Sequence, residues 1–199
     1  MLVHSMTARQ DLQLDVLIRR GSLLIINRTR LVTDAKSWGA DYILWLDADH
    51  FFPPDTLLRL LAHDKDIVGC NYARRSRPTG PSAVFDAEPI LTTPEKVQAR
   101  LVEEVTSMGL GVCLMRMSLL DAIEPPLFNS GIAADGALVG EDSHFFNRAC
   151  EAGFKAWCDH ALSWEIGHLY EATIWNAEAV ADREQWSSIW EAARKKTWD

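Results

Sequence analysis

No run of this 199-residue chain approaches the roughly 20 consecutive apolar residues needed to cross a bilayer. Its first residues carry neither the basic nor the apolar stretch of a secretory leader. The expectation is therefore a cytoplasmic protein without a transmembrane segment. Cysteine is sparse: Cys70, Cys113, Cys150 and Cys158 show no C-x-x-C spacing and lie mostly in apolar runs, which points to reduced core thiols rather than a disulfide framework or a zinc cluster. Positive charge is in deficit, with 20 Lys and Arg against 28 Asp and Glu and a net charge of -8. That balance argues against a nucleic-acid partner and leaves any phosphate ligand to a metal ion or to local arginines. Internal repeats, low-complexity tracts and linker composition are also missing, so residues 1–199 read as a single domain.

What is present concentrates at one place. Tyr42-Ile43-Leu44-Trp45-Leu46 is five apolar residues in a row, suited to a strand covered on two faces of a parallel sheet. Gly39 closes the segment before it, and Phe51-Phe52-Pro53-Pro54 opens a new element after it. Asp47-Ala48-Asp49 thus falls where open α/β sheets put their ligands, outside the carboxyl end of a strand. An acidic Asp-x-Asp is common in solvated turns, but its place after a wholly apolar strand suits divalent-metal binding.

The remaining pattern alternates helices and strands. Helical spacing is read over 11–19 and 26–38, the second with a stripe of Ile26, Val32, Ala35 and Trp38 and a Gly39 stop. A short helix follows Pro53-Pro54-Asp55, and strands are expected at 66–72 and 112–117. Between them lie the basic turn-rich Arg74, Arg75, Arg77, Pro78 and Gly80, then an irregular stretch or short antiparallel strands up to Glu104. Residues 125–139 have the Gly, Pro, Asn and Ala content of a mobile active-site loop. Gly140-Glu141-Asp142 starts a helix that ends at Gly153, short strands are expected at 155–158 and 162–166, and 177–196 reads as one terminal amphipathic helix.

Taken in order, Ala40 to Asp49, the Pro-Pro-Asp helix, Asp66-Ile67-Val68-Gly69, Gly109-Leu110-Gly111, Gly140-Glu141-Asp142 with Phe146 and Gly153, and Gly167-His168 resemble the inverting nucleotide-diphospho-sugar glycosyltransferases of the GT-A fold, in particular the family 2 group and its phage or bacterial relatives. The resemblance implies an α/β three-layer sandwich with a mostly parallel central sheet and a donor site at the Asp-x-Asp end. It also implies transfer of a sugar, hexosyltransferase-like, from a nucleoside diphosphate sugar, a UDP-sugar being favoured, to a glycan, protein or lipid-linked acceptor. Such enzymes open with an apolar strand followed by a loop that contacts the nucleotide base. Here Met1-Leu2-Val3-His4-Ser5 supplies at most a stump of it, so the N-terminal strand is expected to be missing, or its role to be met by another subunit of a homo-oligomer.

By this resemblance Asp49, with Asp47 and His168, holds manganese or magnesium, and Asp47 alternatively reaches the ribose; Arg28 and Arg30, early in the helix before the Asp-x-Asp strand, are placed either to touch the diphosphate or to solvate a helix face. Asp142 is the expected general base, with Glu141 in reserve, although an Asp at a helix start is equally a capping residue. His50 is expected to point to the opposite side of an extended strand and is left out. Small residues at 109–111 would admit the sugar. A sugar-phosphate nucleotidyltransferase lacks support because no Gly-rich, Arg-containing phosphate loop is present. A nucleotide- or glycan-binding protein on the same scaffold, without turnover, is the competing reading.

Overall fold

The computed structural model describes residues 12–76, 78–132, 136, 138–170 and 173–196. Five strands form the central sheet: β1 (Tyr42–Leu46), β3 (Ile67–Gly69), β6 (Val102–Val105), β7 (Val112–Arg116) and β10 (Ala156–Asp159), in the order β1-β7-β3-β10-β6. A smaller sheet joins β2 (His50–Phe51), β11 (Gly167–Leu169) and β12 (Thr173–Trp175). Two short hairpins, β4 (Val84–Phe85) with β5 (Glu88–Pro89) and β8 (Gly131–Ile132) with β9 (Leu138–Val139), project from the body.

Side-chain alternation along the strands builds two cores. Ile67, Cys113 and Met115 face one cluster, packed by Val32 and Ala35 of α1 (Leu24–Trp38) and by Phe145, Phe146 and Ala149 of α5 (Glu141–Glu151). Val68, Val112 and Leu114 face the other, against Leu57 and Leu60 of α2 (Thr56–Leu61) and Leu162 of α6 (His160–Ser163). Helices on both faces make the mixed α/β layering expected from the sequence. The mostly parallel sheet is corrected: only β3 and β10 pair in parallel, while β7 runs antiparallel to β1 and β3, and β6 to β10. Burial on two faces tells a sequence that helices cover both sides of a strand, but does not fix its direction. β1, β3 and β10 still share one direction, with β7 inserted between the first two.

Local departures have identifiable causes. Residues 12–20 form no helix, and Val16 and Ile18 are exposed; Leu12, Leu14, Val16 and Ile18 recur every second residue, which is the period of an extended chain. In α1 the buried stripe is Arg28, Val32 and Ala35, with Ile26 and Trp38 exposed. Gly39 closes that helix in the left-handed region at φ 82°, its N–H donating to the Ala35 and Lys36 carbonyls. The expected strand at 162–166 is instead α6 and a turn, because Asp159 caps the Leu162 N–H at 2.8 Å. The expected single C-terminal helix is α7 (Asn176–Ala181) and α8 (Arg183–Lys196), broken at Asp182, whose carboxylate accepts from the Thr79 N–H. Between α2 and α5, α3 (Pro94–Gln98), capped by Thr93, and α4 (Met117–Ala122) complete the helices among the described residues. The 125–139 segment carries the β8–β9 hairpin, with Ile132 and Leu138 exposed; 133–135 and 137 lie outside the described residues. Cys70, Cys113 and Cys158 are buried free thiols as expected, whereas Cys150 is exposed. Among the described residues no helix is long and apolar enough to cross a membrane.

A buried polar network holds the β10 side of the fold. His160 meets Thr92 Oγ1 through Nδ1 at 3.0 Å and Glu103 Oε2 through Nε2 at 2.7 Å. Burial pushes this imidazole below its ordinary value, with the Glu103 carboxylate pulling the other way. A histidine whose folded value is depressed gives stability that is present above its unfolded value, about 6.5, and is lost as pH falls below it. Chemical denaturation between pH 7 and pH 5 is expected to show a declining stability whose slope flattens in His160→Asn by up to about 1.4 kcal/mol per pH unit. An unchanged slope in that variant would locate the titration elsewhere.

Candidate metal and catalytic site

The C-terminal end of β1 is fixed by the Asp47 N–H, which donates to the Gly111 carbonyl at 2.9 Å in register with β7. The chain then turns: the His50 N–H returns to the Asp47 carbonyl at 3.3 Å before β2 begins. This turn breaks the alternation of an extended strand. It brings His50 to the same side as Asp49, which corrects the expectation that it points away.

Asp49 is the centre of the cluster. Its Oδ2 lies 2.7 Å from Arg75 Nη1 and 3.7 Å from His168 Nε2, and its Oδ1 lies 3.2 Å from His50 Nδ1. The backbone joins in, since the Leu169 N–H donates to the Asp49 carbonyl at 2.7 Å and His168 pairs with His50 across β11 and β2. His168 Nδ1 sits 2.8 Å from the Ala73 carbonyl, an acceptor only, so Nδ1–H donates there and Nε2 is the nitrogen turned toward Asp49. The His50 and His168 rings stack at 4.3 Å, and Tyr72 meets His50 edge-on at 4.2 Å. Burial, and secondarily the charge of His168, pushes the His50 imidazole down to about 4, leaving it neutral at pH 7.

Asp47 belongs to a second group. Arg28, 4% exposed, points Nη2 at Asp47 Oδ2, 3.6 Å away, and at Glu141 Oε1, 3.5 Å away. Its Nη1 is buried without a hydrogen-bond partner, and the guanidinium lies 5.9 Å from the Trp45 ring centroid. Burial raises the Asp47 carboxyl above its ordinary value, with Arg28 opposing and Asp49 adding to the rise. Arg28 therefore ties β1 to the first turn of α5. Arg30, two residues on, is exposed.

Asp142 lies in that first turn, but the N-cap is Gly140; the carboxylate instead accepts from the Ser143 N–H at 2.7 Å. Its charge is felt by Asp47, Tyr72 and Arg74, so it faces the same space. The fold thus brings together Asp47, Asp49, His168, Arg28, Glu141 and Asp142, and adds His50, Tyr72 and Arg75. His144 reaches the Pro126 carbonyl and His160 the Glu103 network, both away from this cluster. Arg77 lies outside the described residues.

Gly109 and Gly111 have a different role from the one expected. A Cβ on Gly109 would stand 2.0 Å from Tyr72 Oη, and one on Gly111 would stand 2.4 Å from His50 Cε1. These glycines make room for the protein's own Tyr72 and His50, and the Gly111 N–H donates to Tyr72 Oη at 3.0 Å. Gly111→Ala is accordingly expected to lower stability by about 1–3 kcal/mol through overpacking and to weaken divalent-metal binding in titration calorimetry. A second outcome concerns Arg75, whose half-exposed side chain holds the oxygen that faces His168. Arg75→Gln is expected to raise manganese affinity by up to about fivefold, the ~1 kcal/mol ceiling of an exposed ion pair. A weaker affinity in that variant would show that Arg75 supports the ion rather than competing with it.

No family model matches the chain, and no curated protein matches it. Solved structures do: A197 from STIV, known from a crystal structure, is similar with a TM-score of 0.58 and 17% identity, over 82% of this chain and 77% of that one, which is a likeness of fold.

Proposed function

We propose that this protein is a metal-dependent glycosyltransferase of the GT-A type that moves a sugar from a nucleoside diphosphate sugar, a UDP-sugar being favoured, to an acceptor hydroxyl with inversion. The observation that carries the reading is the convergence, at one strand end, of residues from four distant segments: Arg28, Asp47 with Asp49, Glu141 with Asp142, and His168. Each was singled out in the sequence for a role in the same reaction.

The residues suit a divalent ion, manganese or magnesium. Asp49 and His168 offer an anionic oxygen and an oriented imidazole lone pair to one point, and Asp47 lies beside them. Such an ion, when bound, supplies Lewis-acid compensation for the charge that develops on a departing nucleoside diphosphate. The protein's own part is proton transfer and placement. Asp142 takes the acceptor hydroxyl proton as that oxygen attacks the anomeric carbon, and Glu141, paired with Arg28, sets the helix start that carries Asp142. Arg28, buried beside Asp47, holds that carboxylate in place.

A second reading, a nucleotide- or glycan-binding protein without turnover, draws on the position of β1. It forms one edge of the five-stranded sheet among the described residues.

Asp142→Asn tests the general base, and turnover of the unmutated protein separates the two readings. The amide keeps size and much of the hydrogen bonding but has no basic lone pair, so manganese-dependent donor binding is expected to persist while transfer falls about 10²- to 10⁴-fold. An Asp142 that serves only to accept from the Ser143 N–H would instead cost about 1 kcal/mol of stability with turnover intact. Melting temperature and transfer or donor hydrolysis, measured on one preparation across a panel of nucleoside diphosphate sugars, decide between them. Asp49→Asn is expected to abolish metal-dependent donor binding; binding without turnover in the unmutated protein would favour the non-enzymatic reading.

A further inference from the structure

The His50 side chain is 1% exposed, its Nε2 has no hydrogen-bond partner, and its Nδ1 meets only the Asp49 carboxylate, at 3.2 Å and outside good hydrogen-bond geometry. An imidazole buried in this way costs free energy that an apolar side chain of similar shape would not, and such an atom in a packed interior calls for a ligand, an ion or a strained role. Its neighbours fix the ring. Tyr72 lies against it, His168 stacks on it, and the Gly111 backbone closes one side, a Cβ there standing 2.8 Å from Nε2. Nδ1 is thereby left as the nitrogen facing the carboxylate, 3.2 Å from Asp49 Oδ1, while His168 Nε2 addresses Oδ2 of the same group. One ligand atom from each of Asp49, His50 and His168 falls within 4.8 Å of the other two.

We propose that His50 is a third protein ligand, and that Asp49, His50 and His168 form a two-imidazole, one-carboxylate site selective for a transition-metal ion such as manganese, cobalt or zinc over magnesium and able to hold it without nucleotide. The inference rests on the reading that Asp49 and His168 share an ion, and it deepens that reading by assigning the ion's class. Magnesium favours octahedral oxygen coordination, keeps several waters and relies on substrate phosphates for much of its binding. Neutral imidazoles instead suit the later first-row ions, whose affinities rise along the series toward copper. Two ring nitrogens already placed by packing remove much of the ordering cost that a magnesium–phosphate site defers to its substrate. His168 also has the outer-shell feature of a metal-bound histidine, its second nitrogen engaged by the Ala73 carbonyl.

Metal-stripped protein titrated with cobalt(II) chloride in the absence of nucleotide tests this. A single site is expected, with a visible ligand-field band that survives about a hundredfold excess of magnesium. His50→Ala is expected to weaken cobalt binding at least tenfold. Because His50 is packed on all sides, X-ray absorption fine structure on the zinc-loaded unmutated protein gives a count that needs no variant: two imidazoles per zinc are expected. A count of one, displacement of cobalt by equimolar magnesium, or cobalt affinity unchanged in a folded His50→Ala overturns the assignment of His50 and leaves the Asp49–His168 pair standing. Failure of the unmutated protein to bind cobalt or manganese under any condition, or binding that is indifferent to Asp49→Asn, removes the metal site from the proposed function as well.

Discussion

Repulsion among carboxylates governs the architecture around the end of β1. Asp47, Asp49, Glu141 and Asp142 come from two segments of the chain and meet at one side of the molecule, where unscreened like charges would drive those segments apart. Arg28 stands between Asp47 and Glu141, and Arg75 stands on Asp49. The first is buried and permanent; the second is half exposed and hangs from a loop. That difference divides the site into a fixed half, where a guanidinium is part of the packing, and an exchangeable half, where another cation can take the place of an arginine.

Much of this was legible in the sequence, and the reasons for the remainder are specific. β1 and its terminal carboxylates followed from an unbroken apolar run, and α5 with its two leading acids from Gly140 and Gly153. Arg28 was legible only in part: its spacing of four and seven residues from Val32 and Ala35 puts it on the buried stripe of α1, a signal that its charge obscured. His50 was missed because a two-residue turn reverses the side that strict alternation assigns. The direction of β7 left no trace, since a two-face-buried strand has the same residues whichever way it runs. The break at Asp182 depends on a partner, the Thr79 N–H, 103 residues away in sequence.

Asn71 shows how the smaller sheet and the C-terminal helices are held to the site. Fully buried, it accepts from the Ser82 and Ala83 N–H groups, donates to the Ile90 carbonyl, and receives the Asn176 amide on its own carbonyl. An apolar residue there would leave several interior polar groups unpaired at once, each costing about 1–3 kcal/mol. One amide thus joins the approach to the Arg75 loop with the start of α7. Two residues beyond it, the Ala73 carbonyl orients His168, so the geometry of the candidate ligands is inherited from this polar hub.

The edge position of β1 has a kinetic side. Pairing with β7 alternates, so the amides of Ile43, Trp45 and Asp47 point into the sheet while those of Tyr42, Leu44 and Leu46 point outward, and among the described residues no backbone hydrogen bond crosses to that outer edge. A pocket of about 760 Å³ lies there, bounded by Leu12, Leu14 and Ile18 on one side and the strand on the other. Every second amide of β1 is therefore without a backbone partner among the described residues. Among those residues the element that carries Asp47 and Asp49 is sewn to the protein along a single seam, so its alternate amides differ in their exchange with solvent.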